Sequence, residues 1–97
     1  MSEVIWERRE CVSAEVEDSL VLLDLESLVY HSLNKTAAAV WECLAEPRDA
    51  SSIVSRLCER FQVTPDHCRT SVDRLIQEFS TRKLVKPYES ASAQPSV

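Results

Sequence analysis

In the stretch LVLLDLESLVYHSLNKTAAAVWECL, residues 20–44, the spacing of apolar side chains changes period within two residues. As far as Leu33 the pattern is that of β-strands. From Asn34 onward Ala37, Val40, Trp41 and Leu44 recur at the intervals of one helix face. A strand that runs straight into a helix must lie against it, so a sheet packed directly on helices is the only economical use of this segment. The chain has 97 residues and no glycine. It is one domain with a modest core, and its turns are made without the residue best suited to them.

Upstream of the switch, Cys11 to Val16 alternates, with Val12, Ala14 and Val16 on one face and Ser13 and Glu15 on the other, the signature of a half-buried strand. Asp18-Ser19 stands where a two-residue hairpin loop belongs. Leu20-Val21-Leu22-Leu23 is apolar on both faces, as in a middle strand, and Glu26-Ser27 marks a turn before a third strand from Val29 to Leu33. The three strands form an antiparallel meander whose last member keeps a free edge. Asn34 is the N-cap of a first helix that ends before Pro47, and Asp49 or Ser51 caps a second containing Ile53, Val54, Leu57, Cys58 and Phe61. Thr64-Pro65 opens a third helix running to about Leu84 and burying Cys68, Val72, Leu75, Ile76 and Phe79. Trp41 and Phe61 belong to the core. From Lys86 the periodicity is lost. The expected organisation is an N-terminal extension at 1–9, a domain at 10–86 and a flexible tail at 87–97. The fold class is α+β: a winged helix-turn-helix with an N-terminal three-stranded antiparallel sheet followed by three helices.

Several functions are disfavoured by composition. Hydrophobic residues are 44% and charged residues 28%, with no apolar run long enough to span a bilayer. The start MSEVIWERRE lacks the apolar region of a secretory signal, so the expectation is a soluble, cytoplasmic protein. Cys11, Cys43, Cys58 and Cys68 show no C-x-x-C spacing and read as small buried residues; neither a metal nor a cofactor is expected. A Cys–His pair, Cys58 or Cys68 with His31, is conceivable, but nothing resembles a nucleophile elbow or a phosphate loop, so no enzyme activity is expected. DNA binding is the obvious use of a winged helix. Here the formal charge is −5, and the third helix opens with Pro65-Asp66-His67 and sets Asp73 and Glu78 beside Arg69 and Arg74, a poor face for phosphates or base edges.

The segment LLDLESLVYHSLNKTAAAVWECL, continued through IVSRLCERFQVTPDHCRTSVDRLIQEF to Leu84-Val85, resembles the PqqD-like family, the precursor-peptide recognition elements of ribosomally made, modified peptides. The likeness covers about residues 10 to 86. Family members usually carry glycine before the third strand and before the final Leu-Val, where this chain has Leu28 and Lys83. The resemblance implies a non-catalytic module that holds the leader of a precursor peptide and presents it to separate modifying enzymes. It is most similar to free-standing members of lasso-peptide pathways, whose partners are a leader peptidase and a cyclase. The alternatives are a chaperone in pyrroloquinoline quinone biosynthesis and a winged-helix DNA-binding regulator. Under the first reading, the leader pairs with the third strand at Leu28, Val29, Tyr30, His31, Ser32 and Leu33. One flank of the third helix, Arg69, Val72, Asp73, Ile76 and Ser80, lines the adjoining groove. The structural alternative makes Ile76 core and Arg69–Asp73 a surface ion pair. Nucleic acid and membrane are not expected partners, and the chain is expected to be a monomer or weak dimer.

Overall fold

The computed structural model describes residues 3–88. Among them, in chain order, are β1 (Ile5–Arg8), β2 (Cys11–Val16), β3 (Ser19–Asp24), β4 (Tyr30–Leu33), α1 (Lys35–Cys43), β5 (Arg48–Asp49), α2 (Ala50–Arg60), α3 (Pro65–Thr81) and β6 (Val85–Pro87). The architecture is α+β, as expected. The meander β2-β3-β4 forms one antiparallel sheet, and β5-β1-β6 forms a second that the sequence did not announce. In it β1 lies between partners distant in sequence, with Trp6 opposite Arg48 on one side and Pro87 on the other. Lys86, where helical periodicity ends, sits across from Glu7 within ion-pair distance. Residues 89–97, most of the expected tail, lie outside the described residues.

Each helix begins at a side-chain cap. Asn34 Oδ1 accepts the Ala37 N–H at 2.9 Å, and Asp49, rather than Ser51, accepts the Ser52 N–H at 2.8 Å. Thr64 Oγ1 accepts the His67 N–H at 3.3 Å, with Pro65 in the first turn, where a missing N–H costs nothing. Helix α3 stops at Thr81, short of Leu84. There the Lys83 N–H donates to the Ser80 carbonyl at 3.0 Å and the Leu84 N–H to the Phe79 carbonyl at 2.7 Å. This Schellman turn buries Leu84 beside Phe79 and requires a left-handed residue between them.

That residue is Lys83, at φ 61°; Leu28 also has φ 61°. Both stand where the resembled family carries glycine. At Leu28 two residues oppose one: the Asp24 N–H donates to the Val29 carbonyl at 3.0 Å, and the Leu28 N–H to the Asp24 carbonyl at 2.7 Å. The pattern is a β-bulge with a left-handed first residue. Asp24 organises the same turn, its carboxylate buried and accepting the Glu26 N–H at 2.9 Å. That bond, followed by those to Ser27, holds the Asp24 carboxyl below its usual range. The β2–β3 loop is Glu17-Asp18, one residue earlier than expected, with Val16 opposite Ser19 and Glu17 at φ 56°.

The inward face of the meander is set by β3 and β4. Leu22 and Leu33 are buried in one cluster with Val40 and Trp41 of α1, and with Phe79, whose ring meets that of Trp41 edge-on at 5.7 Å. Trp41 is therefore core, as expected. In β2 the partners of Leu22 and Leu20 are Ser13 and Glu15, so Val12, Ala14 and Val16 fall on the opposite, outer face. The expectation that these three supply a buried face is corrected. Phe61 is also not core: it terminates α2 and is 46% exposed.

Left-handed geometry costs a non-glycine residue about 1–2 kcal/mol, partly offset by the entropy glycine loses on folding. Lys83→Gly should therefore stabilise by about 0.5–1 kcal/mol and Lys83→Val should destabilise, as read by urea unfolding. A second expectation concerns pH. Because the folded-state pKa of Asp24 is depressed, its contribution is complete above the unfolded value of about 3.9 and is lost as pH falls through the folded one. Stability of the native chain should fall more steeply below that value than in Asp24→Asn, which keeps the turn acceptor but does not titrate.

Candidate functional site

With order β2-β3-β4, the described meander leaves two outer strands. They differ in how they are guarded. Strand β2 contains Glu15 and is flanked by Glu10, Glu17 and Asp18, the kind of charge that discourages edge pairing. Residues 28–32, Leu-Val-Tyr-His-Ser, contain no Asp, Glu, Lys or Arg, and Leu28 and Tyr30 are 69% and 70% exposed. The Asp24–Val29 bond fixes the parity of the ladder: His31 and Leu33, opposite Leu22 and Leu20, direct their backbone groups inward. Tyr30 and Ser32 then present N–H and C=O to the open side. Their side chains lie on the outer face, while His31 is half-buried and Leu33 buried on the inner one.

A groove of about 650 Å³ opens between the β2–β3 hairpin, the start of α1 and the helix pair. Its sheet wall includes Ser19 and Leu20, and its floor Ala38, Ala39 and Val40. Lys35 and Thr36, which open α1 after the Asn34 cap, stand at its margin. The helix wall is His67, Cys68, Ser71, Val72 and Leu75, with Phe61 and Val63 from the α2–α3 link. The body is apolar and the rim mixed in charge, with Glu15, Asp18 and Glu42 against Lys35 and Arg60. The exposure of Phe61 is explained by this position.

Of the helix-three residues expected at the groove, Val72 alone lines it. The buried stripe of α3 is Cys68, Val72, Ile76 and Phe79; of the five residues expected to be buried, Leu75 is the one that is only partly so. Leu75 is the margin residue on the groove side, and Ile76, 5% exposed, is core. Arg69 and Asp73 lie on the opposite flank, and Ser80 is exposed. Arg69 bonds Asp73 at 3.1 Å, Ser51 Oγ at 3.1 Å and Glu3 at 3.3 Å, tying α3 to the start of α2 and to the N-terminal segment. The bond to Asp73 heads the causes that raise the Arg69 pKa, and the Ser51 hydroxyl heads those that lower that of Glu3. Leu75 and Ile76 are adjacent apolar residues, and no sequence signal says which of the two points inward.

Burial pushes the thiols of Cys11, Cys43 and Cys68 upward, away from the nucleophilic thiolate. Among the described residues no three His, Cys, Asp or Glu side chains gather as metal ligands, and no helix is long and apolar enough to cross a membrane.

The fold is a meander laid on the first of three helices, with one unguarded strand edge and an apolar groove between the β2–β3 hairpin and the helices. The chain belongs to the PqqD family: the profile described as coenzyme PQQ synthesis protein D matches residues 19–85. Two solved structures share the fold. One is TbiB1 in complex with the TbiA(beta) leader peptide, at TM-score 0.73 and 23% identity, covering 84% of this chain and 96% of that one. The other is lasso peptide synthetase B1 complexed with the leader peptide, at TM-score 0.70 and 23% identity, covering 84% and 98%. The search of curated proteins found no match.

The placing of Ile76 in the core and Leu75 at its margin is testable by stability alone. Ile76→Ser buries a hydroxyl and empties a packed site, for an expected loss of about 3–5 kcal/mol, whereas Leu75→Ser should cost about 1 kcal/mol. Reversing charge at Asp73 should change stability by about 1 kcal/mol or less, as for other exposed pairs. Denaturant titration of the three variants measures all of these.

Proposed function

We propose that this protein is a non-catalytic recognition element that binds the leader segment of a ribosomally made precursor peptide and presents it to separate enzymes, a leader peptidase and a cyclase, in lasso-peptide biosynthesis in the cytoplasm. The observation that carries this reading is the unguarded edge of β4. A peptide in extended form would pair with the outward N–H and C=O groups of Tyr30 and Ser32, gaining affinity from backbone bonds that do not depend on sequence. Alternate side chains of the added strand would turn toward the inner side of the sheet; the groove's apolar walls at Leu20, Ala39, Val72 and Leu75 approach β4 only at Lys35 and Thr36 beyond its end, so a leader would reach them past Leu33. The solved structures of similar fold are described as leader-peptide complexes, which supports the reading. Within the expected Leu28–Leu33 stretch the pairing role falls to Tyr30 and Ser32, while Val29, His31 and Leu33 bond β3 and Leu33 is buried in the core; the helix wall is assigned to Ser71, Val72 and Leu75. Arg69, Asp73 and Ile76 are assigned to holding α3 in place.

The family description favours one second reading, a carrier of the precursor peptide in pyrroloquinoline quinone biosynthesis. Both readings use the same edge and groove and differ in the peptide.

Titration calorimetry against leader peptides of the two pathways tests the proposal. The matching leader should bind at about micromolar Kd or tighter, without turnover. Tyr30→Pro and Ser32→Pro, which remove outward N–H groups and leave the β3–β4 ladder intact, should abolish binding in a folded protein. Leu75→Ser should weaken it by about 1–3 kcal/mol. Salt-sensitive binding to duplex DNA, with no peptide bound, would overturn the reading.

A further inference from the structure

Strand β2 turns its valines outward, so that Ser13 and Glu15, opposite Leu22 and Leu20, stand on the side of the sheet that meets the helices. Glu15 thereby becomes part of the wall of the apolar groove, together with Glu17 and Asp18 at the hairpin tip. The other charges of the rim partly cancel, because Glu42 pairs with Arg60 at 3.5 Å. Among the described residues Glu15, Glu17, Asp18 and Lys35 enter no ion pair. Apart from His67, what remains on the rim is three carboxylates against one ammonium.

We infer that the groove selects its peptide by charge: it takes a leader segment in which apolar residues are accompanied by a lysine or arginine, and Glu15, helped by Glu17 and Asp18, recognises that cation. The inference rests on the leader-binding reading above and adds to it the chemistry of the leader. Two effects carry it. An occupant of the groove displaces water from its walls, among them the carboxylate opposite Leu20, and a carboxylate that loses water without gaining a partner is strongly disfavoured. A basic side chain supplies the partner. A neutral one leaves the carboxylate short of donors, and an acidic one adds repulsion. The second effect acts at longer range. The chain has a net charge of −5, and the rim concentrates uncompensated negative charge at the mouth of the groove, so basic peptides arrive faster and acidic ones more slowly.

Register places that cation along the leader. Glu15 pairs with Leu20 and Leu20 with Leu33, so Glu15 is two strands inward from β4 and three from a strand added at its edge. At ~4.8 Å per strand that is about 14 Å, beyond the reach of a side chain in the paired segment. The basic residue therefore belongs to the part of the leader that has passed Leu33 and entered the groove, not to the part that pairs with Tyr30 and Ser32. A role in guarding the β2 edge alone would make no demand on the leader's charge.

Selection from a random displayed peptide library on the immobilised full chain tests the inference. Enriched peptides should join an extended apolar stretch to a lysine or arginine. Synthetic versions with that residue changed to Gln should bind about threefold to tenfold more weakly at low salt, and versions with Glu more weakly still. The differences should shrink in ~0.5 M salt. Glu15→Gln should remove the preference and Glu15→Lys should reverse it, with thermal melts unchanged at this exposed position. Glu78→Gln, an equal change of net charge outside the groove, should keep it. Enriched peptides without a basic residue, or a preference for lysine that survives Glu15→Lys, would overturn this inference and leave leader binding standing. No enriched peptide at all would overturn leader binding and this inference with it.

Discussion

The contact that organises this molecule is that of Leu22 and Leu33 with Val40 and Trp41, the central and last strands of the meander pressed on the helix that follows them. Because Asn34 caps α1 directly after β4, the strand has no linker in which to turn over, and the side of β4 carrying Leu33 is committed to the helix. Strand β3 follows through its pairing with β4, and β2 through its pairing with β3. One apolar contact thereby decides the inner and outer faces of the whole sheet.

The remaining features descend from that decision. Since α1 leaves from the end of β4, no further strand among the described residues pairs on that side, and there the backbone of Tyr30 and Ser32 is open. Helix α3 is held across the end of the core by Phe79 against Trp41 and by the Schellman turn that buries Leu84. Its opposite flank is fastened to Ser51 and Glu3 through Arg69. The flank that remains, with Ser71 and Leu75, faces the groove. The second sheet closes the other end of the molecule, where Arg8 reaches back over the Trp41 ring at 5.1 Å and donates to the Trp41 carbonyl at 2.9 Å.

The absence of glycine has a visible cost. Glu17, Leu28 and Lys83 all adopt left-handed backbone without it. Leu28 is the most instructive of the three, because the bulge it makes begins the unguarded edge and its side chain is exposed rather than packed. Backbone strain of this kind persists where the surroundings over-determine it, and Asp24 does so here by accepting the Glu26 N–H within the turn.

What the sequence determined by itself was local or periodic. The meander, the three helices, the caps at Asn34 and Thr64 and the place of Trp41 in the core all follow from spacing and side-chain chemistry within a few residues. The family likeness also singles out Leu28 and Lys83, which stand in place of glycine and have left-handed backbone. What only the tertiary structure decided depended on groups far apart in the chain. Strand β1 finds its partners about forty and eighty residues away, and no periodicity records such pairing in four residues of mixed character. Val12, Ala14 and Val16 form an apolar set by alternation, but alternation is symmetric between inside and outside, and the side was chosen by Leu22 and Leu33 through their contact with α1. Leu75 and Ile76 present the same ambiguity on a helix: either can lie on the stripe, and the packing of α3 against α1 and α2 turned Ile76 inward and left Leu75 to the groove.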